Sequence, residues 1–125
     1  MRERIQASGA APAVGPYSQA IRAGDWVWVS GQIGLDPASG RLVDGGVEAE
    51  ARQALGHLKA ILEEAGSDLS RVVKATVYLV DMGDFEAVNR IYAGFFDEEP
   101  PARMCLEVTG LPKGGRVAFD AVALS

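Results

Sequence analysis

Gripping a small carboxylate takes a cation of fixed geometry, and Arg103 is the residue here best suited to supply one. It stands at the start of an extended run, Arg103–Val108. Alternation puts it on one face with Cys105 and Glu107 and leaves Met104, Leu106 and Val108 on the other. A planar guanidinium can take both carboxylate oxygens through two parallel charge-assisted hydrogen bonds, which a lysine cannot reproduce. The competing reading is a surface ion pair with Glu107 or another carboxylate, and alternation alone favours it. Asp120 is the second candidate, the lone carboxylate in Val117–Leu124, where every other residue is apolar. Such a residue serves an interface, or chemistry, or sits on an exposed edge. Tyr17, following Gly15–Pro16, could turn its hydroxyl to a ligand or pack as an ordinary amphipathic tyrosine. Ser30, at a strand end just before Gly31, reads as a residue satisfying nearby backbone. No His or Lys base stands beside it to make a nucleophile.

Other chemistries are excluded by what the sequence lacks. Cys105 is the only cysteine, so no intrachain disulfide can form, and without a Cys or His partner it reads as a small buried apolar group. One Cys and one His leave no metal-ligand spacing, so no metal is expected. That histidine, His57, falls on the polar side of a helical pattern and is expected to be exposed. Gly110–Gly115 (GLPKGG) matches neither a phosphate loop nor a dinucleotide fingerprint. Twelve basic against 17 acidic side chains give a net charge of −5, the wrong field for nucleic acid. Neither an apolar leader nor a membrane-length apolar stretch is visible. The expectation is a cytoplasmic protein with neither a nucleic-acid nor a membrane partner.

At 125 residues the chain fits one domain, 1–125. Arg2–Gln6 reads as a short strand and Ala7–Gly15 as a loop. Tyr17–Ala23 runs into a hairpin turn at Gly24–Asp25, and Trp26–Gly31 sets Val27 and Val29 against Trp26, Trp28 and Ser30. From Val47 the period becomes helical, through Val47, Ala51, Ala54, Leu55, Leu58, Ile61, Leu62 and Ala65, with Glu50, Gln53, His57 and Glu64 opposite and Gly66 as cap. Val72–Val80 is a β-branched run, with Val73, Ala75, Val77 and Leu79 on one face. A second helix opens at Asp81 or Gly83, carries Phe85, Val88, Tyr92 and Phe95, and ends by Pro100–Pro101. Arg103–Val108 and Arg116–Leu124 close the order β-β(β)-α-β-α-β-β. Two helices cover one sheet face only, so the other, bearing Trp and Val, is expected to meet further copies in a closed ring.

These segments resemble the Rid family of RidA/YjgF-like reactive-intermediate deaminases. The resemblance rests on Gly15–Gln19 (GPYSQ), Val29–Gln32 (VSGQ), Ala51–Leu55 (ARQAL), Val73–Val77 (VKATV), Phe85–Asn89 (FEAVN), Pro101–Val108 (PARMCLEV) and Leu111–Lys113 (LPK), and it spans nearly the whole chain. It implies an α+β, chorismate-mutase-like (bacillus-type) fold, a mixed β-sheet with two helices on one face, assembled as a homotrimer with clefts between subunits. It also implies hydrolysis of 2-imino acids (2-aminoacrylate/2-iminopropanoate, 2-iminobutanoate) to 2-oxo acids and ammonia, with no cofactor. By the same resemblance Arg103 binds the substrate carboxylate, Cys105 contributes backbone groups, and Tyr17, Ser30 and Gly31 line the cleft. Asp120 takes a position where deaminating members usually carry Glu, which orders the attacking water. Asp is one methylene shorter. Pro100 stands where an aromatic residue is common, Met104 replaces a small polar residue, and the loop before Arg103 is short. Two other readings compete. One is a trimeric, non-catalytic sensor of small carboxylates, and the other an endoribonuclease or translation inhibitor, which the acidic charge opposes.

Overall fold

The computed structural model describes residues 1–96 and 98–125. Its elements are β1 (Arg2–Ile5), β2 (Ala20–Ala23), β3 (Trp26–Gln32), α1 (Gly46–Glu64), β4 (Val72–Leu79), α2 (Phe85–Phe95), β5 (Ala102–Glu107) and β6 (Val117–Leu124). All six strands join one sheet in the order β1-β2-β3-β6-β4-β5. The β4–β5 pair, joined through α2, is parallel, and the other pairs are antiparallel. The expected mixed sheet with two helices is therefore the observed one. β2 is shorter than Tyr17–Ala23 because residues 15–17 fold into a tight turn, the Tyr17 amide donating to the Gly15 carbonyl at 2.8 Å.

Apolar periodicity decides which face is covered. α1 buries Ala51, Ala54, Leu55, Leu58, Ile61 and Leu62 against Val27, Val29, Phe119, Ala121 and Ala123 of the sheet. α2 packs beside α1 and adds Val88 and Tyr92. α1 ends as its sequence requires. Gly66 adopts φ +80°, and the Ser67 amide reaches the Leu62 carbonyl at 2.8 Å. On the far side no described helix covers the sheet. Trp26, Trp28, Met104, Leu106 and Leu124 are exposed there, Trp28 at 53% and Met104 at 56%.

Two expectations need correction. Strict alternation put Val73 with Ala75, Val77 and Leu79, but Val73 is exposed and Val72 is buried in its stead. The β4–β6 register slips between Val72 and Lys74, and a bulge of that kind turns a side chain to the other face. His57 is not exposed but 3% accessible, its Nε2 2.7 Å from the Leu35 carbonyl. Gln53 donates to the same carbonyl at 3.0 Å, and the neighbouring Glu50 accepts from the Arg116 amide at 2.8 Å. The polar side of α1 thus binds loop backbone rather than water. Gly34 permits the approach, since a Cβ there would stand 2.6 Å from the Glu50 Cα.

Candidate functional site

A cavity of about 310 Å³ opens on the uncovered side of the sheet. Tyr17, Gly31, Tyr78 and Asp120 bring polar groups or bare backbone to it, and Ile33, Leu35 and Leu111 supply apolar wall. Few polar groups in an apolar hollow is the usual make-up of a small-molecule site.

Each wall has a local cause. Gln19, 4% exposed, accepts from the Ala7 amide at 2.7 Å and donates to the Ala7 and Ala11 carbonyls at 3.3 and 2.8 Å. It thereby folds residues 7–15 into the rim beside Tyr17, whose hydroxyl accepts from the Val14 amide at 3.2 Å. Gly31 lies where the β3–β6 ladder slips between Val29 and Gln32. Ser30, in the same bulge, donates its hydroxyl to the Ser18 carbonyl at 2.6 Å, and its amide donates to the Gln19 carbonyl at 2.9 Å. It ties loop to strand, as its backbone-satisfying reading expected, and is not among the cavity-lining residues.

Asp120 pairs with Thr76 across β6 and β4, and Tyr78 pairs with Ala118. Their faces alternate away from buried Val77, Phe119 and Ala121, so Tyr78, Ala118 and Asp120 meet at the cavity. The Tyr78 hydroxyl donates to Asp120 Oδ2 at 2.7 Å. The hydrogen bond to Asp120 first, then burial of the tyrosine itself, then the Asp120 charge raise the Tyr78 pKa above the ordinary tyrosine value, while Thr76 acts in the other direction.

Arg103 and Cys105 sit elsewhere. Arg103 pairs with Ala75, a core residue, so its side chain rises on the helix side of the sheet. There its Nη1 donates to Asn89 Oδ1 at 2.8 Å, and its guanidinium carbon lies 4.9 Å from the ring centre of Tyr92 and 5.7 Å from that of Phe85. The expected pair with Glu107 does not form, because Glu107 accepts from the Met82 amide at 2.8 Å. Among the described residues the ion pairs are Arg22–Glu3 and Arg116–Asp84, so Arg103 is oriented without being neutralised. Cys105 shares this face, partly buried, and burial raises its thiol pKa against the lowering effect of Arg103.

The sequence-derived candidates therefore fall into two groups. Tyr17, Gly31 and Asp120 surround the cavity, while Arg103 and Cys105 lie across the sheet from it. One copy of the chain cannot apply Arg103 and Asp120 to the same small ligand. Sequence reasoning missed Tyr78 and Gln19 at the cavity, and it missed Asn89 and Tyr92 at the guanidinium. For Tyr78 a signal existed: it shares a strand face with Thr76, and a tyrosine in a half-covered strand needs a partner for its hydroxyl.

Comparison with known proteins agrees with this architecture. The family model described as Endoribonuclease L-PSP matches residues 8–125. A 2-iminobutanoate/2-iminopropanoate deaminase of Capra hircus is 50% identical over 99% of this chain and 90% of its own. The crystal structure of a conserved Rid-family protein, YyfA from Yersinia pestis, superposes with a TM-score of 0.96 at 36% identity, covering 100% of both chains. That of E. coli TdcF with bound serine gives 0.93 at 35% identity over 98% of each. The chain belongs to the Endoribonuclease L-PSP family, the group that includes the Rid proteins.

Proposed function

We propose that this protein hydrolyses 2-imino acids such as 2-iminobutanoate and 2-iminopropanoate to the 2-oxo acid and ammonia. The observation that carries it is 50% identity, over 99% of the chain, to an enzyme of that name. The site chemistry supports it. The substrate carboxylate binds the forked guanidinium of Arg103, which Asn89, Tyr92 and Phe85 already hold in place. Serine bound to TdcF is consistent with a family site that accepts an amino-acid carboxylate. Water held by Asp120 adds to C2 of the imine, the carboxylate assisting loss of its proton. The nitrogen of the tetrahedral adduct takes up a proton and leaves as ammonia, and the C2 oxygen becomes the carbonyl. Tyr17 and Gly31 border the ligand, Ser30 braces the rim and Cys105 borders Arg103.

Because Arg103 and Asp120 face opposite ways, the working site is a cleft between two copies. The exposed Trp26, Trp28, Met104 and Leu106 supply an apolar surface for that contact, and we assign a homotrimer. No described helix is long and apolar enough to cross a membrane, and the single cysteine suits the reducing cytoplasm we assign to it. The family description names an endoribonuclease, but the reading does not fit this chain. Its one histidine is committed to a backbone carbonyl in the interior, and its net charge of −5 repels RNA.

The test is a coupled assay in which threonine dehydratase generates 2-iminobutanoate. The protein should accelerate release of 2-oxobutanoate, and Arg103→Ala should lower kcat/KM by about a hundredfold or more, the cost of losing a charge-assisted carboxylate clamp. No acceleration at micromolar protein, with carboxylate binding retained, would replace the enzyme with a sensor.

A further inference from the structure

We propose that Tyr78 is a positioning residue for Asp120: its hydroxyl fixes one carboxylate oxygen and leaves the other facing the cavity for the attacking water. The inference rests on the role given to Asp120 above and goes beyond it by naming what holds that side chain still.

Aspartate is short, and on β6 it rises directly from the cavity floor. Left alone it could turn about two side-chain torsions, each orientation sending its oxygens elsewhere. The register supplies a remedy. Tyr78 stands opposite Ala118, one step along the same face from the Thr76–Asp120 pair, and diagonal neighbours of this kind are within reach of an aromatic side chain. Ala118 is only a methyl group, so the Tyr78 ring can lean across it to Asp120 Oδ2, 2.7 Å away. Among the described residues this is the only side-chain hydrogen bond to Asp120, and no cation lies within ion-pair distance of it. A donor that has to stay protonated is well chosen, since the Tyr78 hydroxyl pKa is raised. Other titratable groups on the same side are Tyr17, across the cavity, and Lys74 of β4, level with Val122 of β6.

The role differs from a structural one in what it changes. Substrate affinity resides in Arg103, so removing the Tyr78 hydroxyl should act on turnover and spare binding. In the imine assay Tyr78→Phe should lower kcat about tenfold, the effect of deleting one hydrogen bond to a charged group, with KM unchanged within about twofold. Asp120→Asn should lose at least as much, and the double variant no more than Asp120→Asn alone, because the hydroxyl acts through the carboxylate. An independent readout is the Tyr78 ζ-carbon resonance of the labelled full-length protein. Its titration midpoint should lie above that of an ordinary tyrosine and fall towards it in Asp120→Asn. Wild-type kcat in Tyr78→Phe beside an impaired Asp120→Asn would overturn this inference and leave the proposed function standing. Additive losses in the double variant would overturn it as well. Full activity in Asp120→Asn would remove the water-holding assignment itself, and this inference with it.

Discussion

The two halves of the site are built by opposite strategies. The anionic half grows out of the middle of the sheet. Asp120 is on a central strand, flanked by β3 and β4, and is held by a hydroxyl from the next strand. The cationic half stands on an edge strand and is held by a helix, through Asn89, Tyr92 and Phe85 of α2. A central strand cannot shift without breaking two ladders, so the sheet fixes the Asp120 carboxylate. An edge strand is free on one side and can present its residues to another molecule. On the proposed reading, the contrast teaches that the group holding the water is anchored inside one copy while the group capturing the carboxylate is offered at the boundary with another.

The sharpest way to break that comparison is to mix two crippled proteins. Arg103→Ala and Asp120→Asn should each be nearly inactive, yet co-refolded together they should regain activity. A randomly mixed symmetric ring rebuilds about a quarter of its clefts with both residues intact. No recovery would mean that both groups serve one copy, or that one of them serves none. A smaller effect is expected at the guanidinium's support. Asn89→Ala should raise KM roughly fivefold while kcat changes less, since it loosens the clamp without touching the reacting carbon. Equal falls in kcat and kcat/KM would place Asn89 in the chemistry. The smallest effect belongs to Tyr92. Its hydroxyl is buried without a hydrogen-bond partner among the described residues, and burial raises its pKa, with Arg103 acting in the other direction. Tyr92→Phe keeps the ring under Arg103 and removes the orphan, so stability by urea denaturation should rise by about 1 kcal/mol with KM unaltered.

The sequence made the elements legible because their periods are clean. The α1 stripe from Val47 to Ala65 and the Val27/Val29 alternation are single-face patterns that burial alone explains. It failed where tertiary contacts outrank pattern. A helix face bearing Glu50, Gln53 and His57 looks solvated until a loop with a glycine at 34 lies down on it and presents carbonyls and amides. Val73 departs from alternation because of a bulge that no local residue announces. At the site, the motifs around Gly15–Gln19 and Pro101–Val108 pointed to Tyr17, which lines the cavity, and to Arg103 and Cys105, which lie across the sheet from it. They could not reveal that these residues face apart, since facing depends on how β5 joins the sheet. Nor does spacing disclose Asn89 beside Arg103, because a helix position and a strand position become neighbours only through the crossover between them.

The uncovered sheet face and the divided site have a joint consequence for regulation in the cell. On the proposed reading an isolated copy carries half of every cleft, so the rate per molecule depends on how many molecules are present. Diluted below the dissociation constant of its assembly, the protein would fall silent without any inhibitor, and synthesis of more chain would raise output faster than in proportion. Abundance itself would then set a threshold for activity.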